Sequence, residues 1–280
     1  MAIELGKAYV QIVPSAKGIS GGITNQVVPA ADEAGATGGL HLGKRLAAVA
    51  TAAIAAAGIG KAIAASIEEG GKLQQSIGGV ETLFKSSAGM VKRYAQEAYR
   101  TTGVSANSYM ENVTSFAASL VSSCGGNTKK AAKLANTAMT DMGDNANKMG
   151  TDMELVQETY QSLARGNYEM LDNLKLGYGG TKSEMERLMK DAEKLTGEHY
   201  TVGDFGDTVK AIHAVQEHLK ITGTTAKEAS TTLQGSFNSM KASFQDVLGN
   251  LSDGELDITP SLNALAKTTS TFFFGNFVPC

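Results

Sequence analysis

Proline occurs at only four positions, Pro14, Pro29, Pro260 and Pro279, so residues 30–259 run without one. An internal proline removes a helix hydrogen bond and costs about 3 kcal/mol. A proline-free stretch of that length allows helix nearly throughout, and glycine is left to do the punctuating. The predicted fold class is all-α, an extended helical bundle or set of hairpins preceded by a short N-terminal β-prone arm.

The sequence suggests four regions. Residues 1–38 form a β-prone, glycine-rich arm, in which AYVQIV at 8–13 has strand character and stops at Pro14. Residues 39–80 form an Ala/Gly-rich helix, predicted from 40 to about 70. Residues 81–200 are helical, and 201–280 carry a heptad-like seam and an apolar end. Within 81–102 the candidate buried positions are Leu83, Phe84, Met90, Val91 and Tyr94, and Gly103 marks a break. Val113, Phe116, Ala117, Leu120, Val121 and Cys124 then follow the i, i+3, i+4, i+7 rhythm of one helix face, which Gly125 and Gly126 end. Ala131, Leu134, Ala135, Ala138 and Met142 define a further helix, expected to give way to a polar linker, GDNANKMG.

Three helix starts read as capping boxes, in which a threonine caps an amide while a glutamate reaches back: Thr151 with Glu154, Thr181 with Glu184, and Thr225 with Glu228. Met185, Leu188, Met189, Ala192 and Leu195 complete the face of the second helix, and Gly197 stands where a C-terminal cap belongs. Leu233, Phe237, Met240, Phe244, Val247 and Leu251 are spaced 4, 3, 4, 3, 4, the rhythm of two helices wrapping together. That predicts an antiparallel partner within the chain or another copy beside it. No internal repeat of fixed period is present.

Tryptophan is absent, aromatics make up 6% of the chain and glycines number 32, so core material per residue is thin. Partners or self-association are expected to supply the rest. A net charge of −3 with no basic stripe argues against a nucleic-acid binder. Cys124 and Cys280 lack CxxC spacing, and Cys124 reads as a small core residue. The N-terminus has no secretory pattern. Residues 46–60, LAAVATAAIAAAGIG, are the best membrane candidate, but the run is shorter than the roughly 20 residues a spanning helix needs. Its small residues Ala48, Ala52, Ala56 and Gly60, four apart, favour close helix pairing.

No constellation with catalytic, cofactor-binding or metal-ligating spacing is found, and the chain reads as a non-enzyme. GYGGTK at 177–182 departs from the phosphate-loop spacing and reads as a turn between helices. Asp141, Asp144, Asn145, Asn147 and Asp152 have the composition of a calcium loop without its alternation, and are expected to be solvated linker. His213 and His218, five apart, lie on different sides of a helix. No GxSxG elbow surrounds any serine, and Cys124 has no local histidine signature.

Long strings of the sequence nevertheless resemble a known family. YVQIVPSAKG near the N-terminus, DNANKMGTDME at 144–154, NYEMLDNLKLGYGGTKSEMERL at 167–188 and GSFNSMKASFQDVLGNLSDGE at 235–255 are similar to the N-terminal region of tail tape-measure proteins of long-tailed bacteriophages and prophages. The resemblance implies a structural protein that sets tail length while tube protein polymerises around it. It implies as partners other tape copies, the tail tube protein, assembly chaperones and tail-tip proteins. The implied location is the virion tail lumen, and the host cytoplasm during assembly. Relatives are far longer. A fully helical chain of this size reaches only about 420 Å at about 1.5 Å per residue, so an N-terminal fragment is expected. The alternative is a helical interaction or membrane-active protein using residues 46–60.

Overall fold

The computed structural model describes residues 59–252 and 258–277. Of these 79% are helical and none lies in a strand, which makes the described chain all-α. The β-prone arm at 1–38 and the Ala/Gly stretch as far as residue 58 lie outside the described residues.

The helices are α1 (Ile59–Phe84), α2 (Ala88–Gln96), α3 (Ala98–Thr101), α4 (Ala106–Ser123), α5 (Thr128–Met149), α6 (Met153–Ala164), α7 (Lys182–Thr196), α8 (Phe205–His218), α9 (Thr224–Thr231), α10 (Leu233–Ser252) and α11 (Thr259–Phe277). Short 3-10 turns occupy Lys85–Ser87 and Leu171–Leu174. The helix expected to end near residue 70 instead continues to Phe84, through Gly70, Gly71, Gly78 and Gly79. Packing against α4 and α10 outweighs a propensity cost of about 1 kcal/mol per glycine.

The core gathers around α4, α5 and α8. Val113, Phe116, Ala117 and Leu120 of α4 meet Ala131, Ala135, Ala138 and Met142 of α5, all buried, as their spacing predicts. From α8, Val209 and Ile212 are fully buried, and Phe205 sets its ring edge against Phe116 with centroids 5.8 Å apart. Burying side chains of this size contributes about 1.5–3 kcal/mol each. The helix α7 adds Met185, Leu188, Met189 and Ala192; Leu195, expected on the same face, is 44% exposed, because the helix ends two residues later at a left-handed Gly197.

The seam predicted across 225–251 is corrected. An extended Thr232 separates α9, which holds the expected helix start at Thr225, from α10, which holds all six seam positions. The inward face of α10 is made of Gly235, Ser236, Ser239, Ala242 and Ser243, all buried, together with Val247, whereas Phe237 and Phe244 are 43% and 41% exposed. The helix does find an antiparallel partner within the chain, α11: Ser243 bonds Thr268 at 2.7 Å and Phe237 rests on Phe272.

Candidate functional site

The segment expected to dissolve into a solvated linker is the second half of α5. Helix runs unbroken to Met149 and ends at Gly150 in the left-handed conformation. Asp141, Asp144 and Asn145 are each 0% exposed. Their spacing, i, i+3 and i+4, places three polar groups on one helical face, and partners distant in sequence converge on that face. Asp152, the last acid of the cluster, caps α6 from the surface and accepts from the amide of Glu154.

Each buried group has a defined role. The carboxylate of Asp144 accepts from the backbone N–H of Gly223 at 2.6 Å and of Thr225 at 2.7 Å, so it plugs the N-terminus of α9, where unsatisfied amides and the helix dipole favour an anion. The capping box expected of Thr225 and Glu228 does not form. Gly223 occupies the N-cap in a left-handed conformation without a side-chain cap, and the anion comes from another helix. Asn145 donates through Nδ2 to the Leu174 carbonyl at 2.8 Å, tying α5 to the 3-10 turn. Asp141 Oδ1 lies 2.8 Å from Nδ1 of His213 on α8. Tyr160 of α6 and Gln216 of α8 are also fully buried.

Burial pushes Asp141 up to about 6, against the lowering bond from His213. It raises Asp144 too, against the amides of Thr225 and Gly223. His213 is raised chiefly by its bond to Asp141, against its own partial burial. The hydroxyl of Tyr160 is held far above its usual range by burial, reinforced by the charges of Asp141 and Asp144. These four groups therefore form one electrostatic unit between α5, α6 and α8, with Asp144 extending it to α9.

The surrounding turns are equally specific. The threonine of the first expected capping box, Thr151, donates to the Asn173 carbonyl, and Asp152 takes its place as cap. Thr181 does cap α7, accepting from the amide of Glu184. The Glu184 carboxylate, however, reaches back to the amide of Gly179. In GYGGTK, which joins the second 3-10 turn to α7, a Cβ at Gly180 would stand 2.2 Å from the Glu169 carbonyl oxygen. Tyr178 packs under the Arg187 guanidinium and donates to Asp191 at 3.2 Å. Gly143 makes another close approach. A Cβ there would come within 2.8 Å of the Thr102 carbonyl oxygen, so only glycine lets α5 pass the end of α3.

Among the described residues His213 hydrogen-bonds Asp141 and no hydroxyl or thiol. Cys124 lies at the C-cap of α4, half-buried, its thiol raised by burial, and His218 ends α8. The described residues hold no group of three or more His, Cys, Asp or Glu side chains able to share a metal ion, and no helix among them is long and apolar enough to cross a membrane. Residues 46–58 of the membrane candidate lie outside the described residues. No family model, curated protein or solved structure matches the chain.

The sequence carries a signal for this joint that local reading misses. A linker of Asp, Asn and Gly has no reason to keep helical spacing, yet Asp141, Asp144 and Asn145 continue the phase of Ala138 and Met142.

Proposed function

We propose that the chain is the N-terminal part of a tail tape-measure protein and acts as a structural element of tail assembly, with other tape copies, tube protein, chaperones and tail-tip proteins as its partners and the tail lumen as its destination. One observation carries the reading. Two of the strings that resemble the family, at 144–154 and 167–188, join helix to helix. DNANKMGTDME supplies the plug of α9, the tie to the 3-10 turn, the left-handed stop of α5 and the cap of α6. NYEMLDNLKLGYGGTKSEMERL supplies the 3-10 turn, the close approach at Gly180 and the cap of α7. Residues that build joints suit a part whose work is to hold geometry, and such a role requires no bond-making step.

The test is made on tails assembled from the locus that encodes the chain, with and without an in-frame deletion of its coding segment. Mass spectrometry of purified tails is expected to find its peptides, and the deletion is expected to give no tubes or tubes of unregulated length. Tails of unchanged length and composition after the deletion overturn the reading.

A further inference from the structure

The last three helices meet the rest of the protein differently from the way the core holds itself together. The main hydrophobic cluster extends from Leu73 to Ile221 and, among the described residues, takes no member from α9, α10 or α11. Beside Ala242 and Val247, the inward face of α10 carries the small residues Gly235, Ser236, Ser239 and Ser243, and the helix packs against α1 and α11. A polar cleft of about 500 Å³ opens along the joint, lined by Ser105, Asn107, Gly143, Asn147, Asn238 and Gln245 among others.

Two carboxylates cross the joint, pointing in opposite directions. Asp144, on α5, plugs the N-terminus of α9 through Gly223 and Thr225. Asp246, on α10, accepts from the backbone N–H of Ala106 at 2.7 Å, the first residue of α4, so the strap plugs a core helix just as the core plugs the strap. We propose that α9, α10 and α11 form a strap latched to the helical core by these two reciprocal aspartate plugs.

The latch responds to pH. Burial pushes Asp246 up to about 7, the Ala106 amide opposing it and Glu69 of α1 adding to it. Tyr99 of α3 also feels its charge, and Lys72, Glu111 and Lys241 line the cleft beside it. Asp144 is raised by burial against its two amides and His213, with Tyr160 and Asp141 as its other titratable neighbours. Release returns both carboxyls to water, where a carboxyl of this kind titrates near about 3.9. The latched form therefore binds protons more tightly than the released one. Latching is strongest in mild acid and weakens as pH rises through 7. This inference does not depend on a role in phage tails.

Hydrogen exchange of the intact chain, followed by mass spectrometry at pH 6 and pH 8 and corrected for the intrinsic rate, tests it. Peptides of α10 are expected to exchange faster than those of α5 at pH 6, and the ratio is expected to widen at least tenfold at pH 8. Asp246→Asn, which keeps an acceptor for Ala106 but carries no charge, is expected to abolish the widening. Equal protection of α10 and α5 at both pH values, or a ratio that stays constant between them, overturns the latch. So does a folded Asp246→Asn variant that widens like the parent. The parent comparison decides the matter by itself if the variant does not fold.

Discussion

Two kinds of residue hold the joints, and they fail in different ways. Asp144 satisfies two amides of α9 from inside the protein. Truncating it leaves those donors buried without a partner, a loss of about 2–4 kcal/mol. Asp144→Ala is accordingly expected to lower the urea midpoint clearly, and Asp144→Asn, which retains one acceptor oxygen, to lower it less; equal midpoints for parent and Asp144→Ala would show that the plug contributes nothing. Gly180 fails by collision. Its would-be Cβ sits 2.2 Å from a backbone oxygen, and backbone cannot move aside as a flexible side chain can. Gly180→Ala is expected to cost about 1–3 kcal/mol, measured as a fall in Tm. Gly166, left-handed at φ +75 with nothing near its would-be Cβ, is the comparison. Alanine there is expected to cost only about 1 kcal/mol from the backbone conformation.

At the scale of elements, the apolar helices are legible in the sequence and the polar ones are not. The faces of α4 and α7 follow from spacing alone, since buried leucine, methionine and phenylalanine need only another apolar surface. The second half of α5 escapes such a reading because what keeps Asp141 and Asp144 inside is His213 and the start of α9, 72 to 81 positions away along the chain, and no local window contains them. The α10 seam misleads for the opposite reason. Phenylalanine at heptad spacing looks buried, but the serine and glycine face takes the interior, with Ser243 bonded to Thr268 of α11 and Gly249 against Leu73 of α1. This inversion has a measurable consequence. Phe237→Ser and Phe244→Ser are expected to change Tm by less than the loss from Phe116→Ala, whose ring is 2% exposed and whose removal costs about 3–5 kcal/mol. A loss at Phe244 as large as at Phe116 would place α10 the other way round.

For the whole molecule, the buried acids set the pH at which it is most stable. A carboxyl whose folded pKa lies above its unfolded value holds its proton more tightly when folded, so stability falls as pH rises between the two values. Asp141, raised to about 6, Asp246, raised to about 7, and Asp144, raised by burial, all act in this sense. The raised pKa of His213 adds stability that is fully present below about 6.5 and is lost as pH climbs through the folded value. Surface acids oppose this trend only in stronger acid. Glu184, Asp191, Glu193 and Asp207 are lowered by partners such as Arg187, Lys194, the Tyr200 amide and Lys210, so what they contribute is present above about 4.5 and lost below it. Maximum stability is therefore expected near pH 5, with a decline of about 2–5 kcal/mol by pH 8, since each tenfold difference in proton affinity between the folded and unfolded chain is worth about 1.4 kcal/mol. Urea unfolding at pH 5, 6, 7 and 8 measures the slope. Asp141→Asn, which keeps an oxygen acceptor beside His213 and removes the ionisation, is expected to flatten it. A chain most stable at pH 8, or a slope untouched by Asp141→Asn, would mean that the acids inside α5 are ionised at no cost and that the electrostatic unit joining α5, α6 and α8 does not govern the fold.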